Sequence, residues 1–183
     1  MVASWEALSA LPPVPPGDEV RAAVLVPIYE DAGRLRLIMT RRPDDMRAHP
    51  GDVVFPGGTI EPGDADPVAA AMREASEEVG LPRSSIVEVL GGLTPVHARS
   101  VTMMIAPVVA RVQRPERLVP QPGEVSAIIE PLVDDLLDDD RWVSRSWGPG
   151  RKMWFFEFPE GVLWGATAFM VRDLLEYFRR IES

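Results

Sequence analysis

The chain has 183 residues, of which 46% are hydrophobic and 26% charged, an ordinary composition for one globular domain with a substantial core. Its formal net charge of −9 argues against binding to nucleic acid or to an anionic membrane. The lack of cysteine excludes disulfides, a thiolate nucleophile and a Cys-ligated zinc site, and two histidines argue against a multi-histidine zinc centre. No signal peptide and no apolar run of about 18 residues is found, so a cytoplasmic protein is expected.

The first part of the chain is predicted to be a leader followed by strands. Residues 1–18 are rich in proline, so we expect an extended leader after a short helical turn, and residues 19–183 are assigned to one domain. Hydrophobic patterns and turn residues then predict a buried strand at Ala22–Ile28, a turn at 30–33, a strand at Leu35–Thr40, a polar loop at 41–52 and a short strand at Val53–Phe55. The last of these leads directly into a glycine-rich turn.

The second half of the chain is predicted to hold further strands and two helices. The strands are expected at 86–92, 101–112, 126–129 and, as the last one, 153–158, with helices at 132–137 and 166–181, a loop at 114–123 and a polar excursion at 138–152. Pro107 interrupts the longest strand, which indicates a bulge or an edge position. Strands surrounding a few helices give an α+β class, with mixed β-sheet layers between helices (α/β/α).

A further helix is predicted in the middle of the chain, from Pro67 to Val79. Asp66 is typical of the N-cap residue, and Pro67 is typical of the first helical position. Gly80 is typical of the residue that follows the last turn. The helix is therefore confined at both ends, which fixes the positions of its side chains.

Three carboxylates share one face of this helix. At about 100° per residue, Glu74, Glu77 and Glu78 lie within an arc of about 100°, opposite an apolar stripe. Like charges one turn apart repel, so stability alone does not favour the cluster, whereas a divalent cation bound by oxygen ligands does. A solvated acidic face is the alternative. Arg73 weakens that alternative, because it lies four residues before Glu77 and can orient its carboxylate as an ion pair.

Residues 73–81, REASEEVGL, resemble the second half of the Nudix box, Arg-Glu-(apolar)-x-Glu-Glu-x-Gly-(apolar), at every required position. The first half departs from the box, because Gly58 lies fifteen residues before Arg73, one more than usual. Asp64 stands roughly where the box has an acid, but neither Asp64 nor Glu61 is assigned to a metal. The resemblance implies the Nudix fold and hydrolysis of a nucleoside diphosphate linked to another group.

The segment before the box resembles the signature of the coenzyme A diphosphatase branch of Nudix hydrolases. Arg42, Arg47 and Phe55–Gly58 fall in register with that signature, and Pro43 replaces its small hydroxyl residue. The late sequence LWGATA, residues 163–168, resembles the start of the C-terminal helix in the same branch. The resemblance implies cleavage of coenzyme A or acyl-CoA to 4′-phosphopantetheine and adenosine 3′,5′-bisphosphate.

The same resemblance implies that the chain binds Mg²⁺ or Mn²⁺. Glu74 and Glu78 are then the leading metal ligands, Glu77 is a third, and the carbonyl of Gly58 adds one more oxygen. Such a metal neutralises the diphosphate and lowers the pKa of a water molecule. The general base stays open between one of these glutamates and an acid from elsewhere, such as Glu124.

Several other residues are assigned to the substrate. Arg42 and Arg47 are candidates for phosphate contacts, because arginine binds phosphate in a bidentate manner. The Gly57–Gly58 turn closes the site, and Arg73 orients a glutamate without touching substrate. For His49, capping of its loop is favoured over a phosphate contact.

Two other functions are kept as alternatives. One is hydrolysis of a different nucleoside diphosphate derivative, such as ADP-ribose, NADH or a dinucleoside polyphosphate. The other is a non-catalytic nucleotide-sensing or protein-binding module, which the intact glutamate set argues against, because such a module has no reason to keep a repulsive cluster. The expected partner is a small-molecule nucleotide, with no nucleic acid and no membrane. A homodimer is also considered, since Trp142, Trp147 and Trp154 either stack on adenine or cover a dimer surface.

Overall fold

The computed structural model describes residues 3–47, 49–97, 103–150 and 152–180. Residues 101 and 102, at the start of one predicted strand, and residue 181, at the end of the predicted C-terminal helix, lie outside these ranges. The strands are β1 (Ala22–Asp31), β2 (Arg34–Leu37), β3 (Met39–Arg41), β4 (Val53–Val54), β5 (Gly57–Thr59), β6 (Ile86–Gly92), β7 (Val96–His97), β8 (Met104–Val112), β9 (Ala127–Ile129), β10 (Trp142–Ser146), β11 (Lys152–Phe158) and β12 (Gly161–Trp164). The α-helices are α1 (Pro67–Val79), α2 (Val133–Leu137) and α3 (Gly165–Arg180). Within the described ranges, no helix is both long enough and apolar enough to cross a membrane.

A mixed sheet forms the centre of the fold. Its strands lie in the order β2-β1-β8-β6, with β1 parallel to β8 and the other pairs antiparallel. Two short strands extend it, since β5 pairs with the start of β1 and β7 pairs with the start of β8. In the β1–β5 pair, Ala23 is opposite Gly58 and Val24 is opposite Gly57. The glycine-rich turn is thereby anchored to the start of β1.

The long strand around Pro107 differs from its prediction. β8 is an interior strand, paired with β1 on one side and with β6 and β7 on the other, so the edge position predicted for Pro107 is wrong. The register shifts of this region occur in the neighbouring β6. Pro107 lies opposite the break between β6 and β7, where its carbonyl accepts a hydrogen bond from the Leu93 N–H at 3.0 Å. Because no ladder bond is required at the break, the missing N–H of proline is tolerated there.

Helices cover both faces of the central sheet, in agreement with the predicted α+β class and α/β/α layers. On one face, Ala71 and Ala75 of α1 belong to a core shared with β1 and β8. On the other face, Leu174 of α3 belongs to a second core, which also includes residues of α2. Strand β1 supplies both cores, because Leu25 packs in the first and Val26 in the second. A strand buried on both faces has a nearly continuous apolar sequence, as predicted for Ala22–Ile28.

Two smaller sheets have the strand orders β4-β3-β9 and β10-β11-β12. The polar excursion predicted at 138–152 contains strand β10, and β12 follows the strand that was expected to be the last; both expectations are wrong. Strand β10 exposes all its side chains except the first, so its sequence lacks the alternation that reveals a strand. That first residue, Trp142, donates its indole N–H to the Leu136 carbonyl at 2.8 Å. It therefore serves the core and neither of the surface roles considered for it.

The proline-rich leader packs against the sheet and the C-terminal helix. Trp5–Ala10 forms a 3₁₀-helix, and its Leu8 is only 1% exposed, in the core that includes α3. Beyond this turn, the Gly92 N–H of β6 donates to the Pro12 carbonyl at 2.8 Å. A Cβ at Gly91 would lie 2.5 Å from the same carbonyl oxygen, so this close approach requires glycine.

Candidate active site

Helix α1 forms over Pro67–Val79, as the sequence predicts. The Asp66 carboxylate accepts a hydrogen bond from the Ala69 N–H at 2.8 Å, which caps the first turn. Gly80 takes the left-handed conformation with φ of 66° and ends the helix. Because the apolar side packs on the central sheet, the side that carries the glutamates faces away from that core.

Arg73 closes the turn that precedes the helix. Its guanidinium donates to both carboxylate oxygens of Asp64, each at 3.0 Å, and to the Thr59 carbonyl at 3.1 Å. It also contacts Glu74 at 3.0 Å and Glu77 at 3.4 Å. The hydrogen bond from Arg73 holds the pKa of Asp64 below its usual value. Both carboxylate oxygens of Asp64 are therefore occupied by Arg73. This ion pair stabilises the turn between Gly58 and Arg73, which is one residue longer than in the usual Nudix box.

Gly57 and Gly58 bring the backbone directly against this helix and strand β1. A Cβ at Gly58 would collide with the Glu74 carboxylate. A Cβ at Gly57 would lie 2.5 Å from the Ala23 carbonyl oxygen. A side chain is therefore excluded by backbone at Gly57, and at Gly58 it would displace the Glu74 carboxylate. The backbone at Gly58 and the Glu74 carboxylate lie side by side, which suits two oxygen ligands of one cation.

Glu74 and Glu78 lie in a field that disfavours their ionised forms. Burial raises the pKa of Glu78 to about 8, and the negative charges of Glu74 and Glu124 act in the same direction. A hydrogen bond from the Gly57 backbone and the positive charge of Arg42 offset only part of this effect. Burial is also the main cause of the raised pKa of Glu74. A bound cation is the group that would favour both carboxylates in their charged form.

A loop distant in sequence brings Glu124 to the same site. The Val119 N–H donates to the Val79 carbonyl at 2.9 Å, and the Gln121 N–H donates to the Glu78 carbonyl at 2.8 Å. These bonds hold the loop against the last turn of α1. Glu124 is exposed, yet its charge contributes to the raised pKa of Glu78. Glu124 therefore lies near Glu78, and the choice of the general base between it and the glutamates of the helix stays open.

The oxygen donors of this site fit Mg²⁺ or Mn²⁺. Both are hard ions, and Mg²⁺ retains several waters, so two carboxylates and a carbonyl are sufficient. Within the described part of the chain, no three acidic or histidine side chains converge into a complete metal cage. Glu77 is 53% exposed and contacts Arg73, while Glu61 lies 4.0 Å from the same guanidinium. Glu74 and Glu78 are thus better placed for a cation, and ligation by Glu77 stays a prediction.

A cleft of about 780 Å³ includes the glycine-rich turn, although none of Glu74, Glu77 and Glu78 lines it. Gly57, whose backbone contacts Glu78, forms part of its wall, and so does Arg42. Much of the remaining wall is apolar and aromatic, with Ile105, Met153, Trp147, Trp154, Trp164 and Phe169. Arg47 is exposed and is not among the described residues that line the cleft, so the structure does not bring it together with Arg42.

Comparison with known proteins identifies the family. The NUDIX domain family matches residues 19–149 of the chain. The chain belongs to the Nudix family. NudL of Enterobacter sp. (strain 638), an uncharacterized Nudix hydrolase, is 37% identical over 161 residues, which cover 84% of this chain and 80% of the relative. These similarities support a Nudix hydrolase that acts on a nucleoside diphosphate derivative, and Nudix hydrolases generally use divalent metal ions.

Solved structures share the fold of this Nudix protein. The MutT protein from Methanosarcina mazei Go1 has a TM-score of 0.55 at 15% identity and covers 95% of this chain and 98% of its own. The NUDIX domain of NrtR from Shewanella oneidensis, solved in complex with ADP ribose, has a TM-score of 0.52 at 15% identity and covers 88% and 87%, respectively. At this identity the likeness concerns the fold alone, and it confirms the predicted Nudix fold.

Sequence reasoning missed three polar side chains in the cleft of this Nudix domain. Asp52, Trp164 and Thr167 all line it. The Trp164 indole N–H donates to an Asp52 carboxylate oxygen at 2.8 Å, across 112 residues of sequence. No local pattern links two residues so far apart. The sequence LWGATA, which includes Trp164 and Thr167, indicated only where a helix begins.

Proposed function

We propose that this Nudix hydrolase cleaves the diphosphate linkage of coenzyme A or an acyl-CoA in the presence of Mg²⁺ or Mn²⁺. The products are 4′-phosphopantetheine and adenosine 3′,5′-bisphosphate. One observation carries the proposal: Arg42, from the segment that resembles the coenzyme A branch, lines the same cleft as Gly57 of the glycine-rich turn. A cationic side chain, the backbone beside the glutamates and a long apolar wall thus share one cavity.

The composition of the cleft matches the two chemically different halves of coenzyme A. The phosphate-bearing half needs positive charge, which Arg42 and Lys152 supply within the cleft. The pantetheine arm and any acyl group need apolar surface, which Met153, Trp154 and Phe169 supply. A volume of about 780 Å³ lies within the range of roughly 300–1,000 Å³ that is usual for small-molecule sites.

Each residue of the site has a separate role in the proposed hydrolysis. Glu74 and Glu78 would hold the metal, which when bound neutralises the diphosphate and lowers the pKa of a water. Arg73 fixes the orientation of Glu74 through the 3.0 Å contact. Arg42 counters the charge of the substrate phosphates. A glutamate of α1 or Glu124 accepts the proton of the attacking water.

A substrate comparison tests the proposal. Purified protein is incubated with coenzyme A, an acyl-CoA, ADP-ribose, NADH and a dinucleoside polyphosphate, each with Mg²⁺ or Mn²⁺, and the products are separated by chromatography. We expect the two named products and a higher kcat/KM for the coenzyme A compounds. Rapid cleavage of ADP-ribose with negligible turnover of coenzyme A would reject the proposal in favour of another Nudix substrate. No turnover of any diphosphate would favour a non-catalytic module.

Arg42 provides a variant for the same assay. Arg42→Met should raise the KM for coenzyme A by about 10-fold, the usual value of one hydrogen bond to a charged group. Arg83→Met is the matched control, because Arg83 is an exposed arginine outside the cleft. Equal kinetics for Arg42→Met and Arg83→Met would show that Arg42 does not contact the substrate.

A further inference from the structure

The N-terminus of helix α3 opens into the cleft described above. Gly165, Ala166 and Thr167, the first three residues of this 16-residue helix, all line the cavity. The first N–H groups of a helix have no partner within the helix, and the helix dipole adds partial positive charge at this end. Such an end favours an anion, and phosphate in particular. A helix end alone does not define a binding site.

Thr167 is a polar residue near the start of α3. Its side chain is polar and only 9% exposed, at a position on the cleft wall. Within the described part of the chain, its hydroxyl has no hydrogen-bond partner. Thr167 is not among the residues with a fully buried unpaired side-chain atom, which within the described residues are Arg41 and Gln121, so its hydroxyl can be reached from the cleft. The Thr167 hydroxyl is therefore available to a ligand that occupies the cleft at the start of α3.

A chain of hydrogen bonds connects Trp164, Asp52 and His49. Trp164 immediately precedes α3 and donates its indole N–H to one Asp52 carboxylate oxygen at 2.8 Å. The other Asp52 oxygen lies 3.1 Å from His49 Nδ1. Since Nδ1 is engaged by the carboxylate, Nε2 is the ring nitrogen that remains for a ligand. His49 also lines the cleft, and this chain links its imidazole to Trp164, the residue before α3.

The backbone at His49 is unusual. Its φ is 54°, a left-handed conformation that few residues other than glycine adopt. Such conformations cost free energy and cluster at ligand sites. Capping of the loop, the role favoured from the sequence, accounts for the bond to Asp52 but not for the position of the imidazole on the cleft wall.

We propose that the N-terminus of α3, the Thr167 hydroxyl and His49 together bind a phosphate monoester of the substrate, namely the 3′-phosphate of coenzyme A. This inference rests on the proposed function. Helices α1 and α3 pack on opposite faces of the central sheet, and we assign the phosphate at α3 to a group other than the diphosphate beside Glu78. A 3′-phosphate is also the group that separates coenzyme A from ADP-ribose and most other Nudix substrates. The site is therefore a determinant of specificity.

The decisive experiment compares coenzyme A with 3′-dephospho-coenzyme A. The wild-type protein should show at least about a 10-fold higher kcat/KM for coenzyme A, as expected for one or more charge-assisted hydrogen bonds. Thr167→Val keeps the shape of the side chain but removes its hydroxyl. This variant should lose about 10-fold in kcat/KM for coenzyme A, with the loss confined to the substrate that carries the 3′-phosphate. Thr167→Ser restores the hydroxyl and should restore the preference.

His49→Ala provides an independent variant, since the His49 side chain is 41% exposed and its removal leaves the core intact. It should reduce the preference for coenzyme A in the same direction as Thr167→Val. Equal losses for both substrates in these variants would show that the N-terminus of α3 binds the diphosphate and not the 3′-phosphate. That result would overturn the proposal. A wild-type protein that does not distinguish the two substrates would overturn it as well.

Direct binding separates failure of this inference from failure of the proposed function. Isothermal titration calorimetry with adenosine 3′,5′-bisphosphate and with AMP requires no turnover. Tighter binding of the bisphosphate, lost in Thr167→Val, supports the phosphate site even if coenzyme A is not hydrolysed. Equal affinity for the two nucleotides, combined with rapid hydrolysis of coenzyme A, would retain the proposed function and reject the site at α3.

Discussion

Two arginine–glutamate clusters lie at opposite ends of strand β1, and they differ in their balance of charge. Near the end of the strand, the Glu130 carboxylate accepts hydrogen bonds from Arg114 at 2.8 Å and from the Tyr29 hydroxyl at 2.6 Å. Burial would raise the pKa of Glu130, but these hydrogen bonds outweigh it, and the pKa lies below its usual value. Near the start of the strand, burial and neighbouring carboxylates raise the pKa of Glu78 to about 8.

The difference separates a cluster whose charge is satisfied within the protein from the cluster to which we assign a cation. Arg114 donates to both carboxylate oxygens of Glu130, so that negative charge is satisfied within the protein. Around Glu78, the backbone of Gly57 and the charge of Arg42 do not offset burial and repulsion. An external cation is the counterpart that we propose. Similar residue types thus lead to opposite pKa shifts, because only the cluster around Glu130 offsets its burial with hydrogen bonds from the protein.

The largest effect is expected at the incomplete cluster. Glu78→Gln removes a proposed oxygen ligand while keeping the size of the side chain. Hydrolysis of coenzyme A should fall by at least about 100-fold, because even residues that only support a metal ligand are worth about 10- to 100-fold. The measurement is kcat at saturating Mn²⁺, with circular dichroism to show that the variant is folded.

Glu88→Gln is the matched control for this variant, because Glu88 is an exposed glutamate on β6. It should keep the wild-type kcat. If Glu78→Gln also keeps the wild-type rate, the assignment of Glu78 to the metal is wrong. The difference in pKa between Glu78 and Glu130 would then be unrelated to catalysis.

Helix α1 could be predicted from the sequence in full, whereas strand β10 could not. The capping residues Asp66 and Gly80 are local signals, and so is the spacing of the glutamates. Strand β10 is almost entirely exposed, so no apolar alternation marks it, and only its pairing with β11 makes it a strand. The bond between Trp164 and Asp52 depends on the tertiary fold, since 112 residues separate the partners. Local patterns therefore predicted the helix that carries the proposed metal ligands, but not the contacts of Trp164 and Asp52 in the cleft.

A smaller effect than the loss of activity is expected in the free energy of unfolding of the metal-free protein, which should depend on pH through Glu78. The pKa of Glu78 is about 8 in the folded protein, against 4.5 for an ordinary glutamate. Between these values the folded state binds more protons than the unfolded state, so this group makes stability fall as pH rises. In a chelating buffer, the free energy of unfolding of Glu78→Gln should exceed that of the wild type increasingly from pH 5 to pH 8. The gain should be on the order of 3 kcal/mol, by urea denaturation.

Added Mn²⁺ provides the test of that explanation. At pH 8 it should stabilise the wild type much more than Glu78→Gln, because a cation favours the charged carboxylate. Parallel stability curves for the two proteins across this pH range would contradict the raised pKa of Glu78. In that case the Glu78 carboxylate would be no less stable in its charged form than the Glu130 carboxylate.

The smallest effect is expected at the complete cluster, where Tyr29→Phe removes one hydrogen bond and little else. Tyr29 is 7% exposed, and its hydroxyl donates to Glu130, which keeps its bonds from Arg114. The free energy of unfolding should fall by about 1.5 kcal/mol, the lower value for a hydrogen bond to a charged group. The kcat/KM for coenzyme A should stay within about 2-fold of the wild type, since the cluster does not line the catalytic cleft. A larger change in kcat/KM at unchanged stability would show that the two ends of β1 are coupled, because a purely structural cluster acts only through the amount of folded protein.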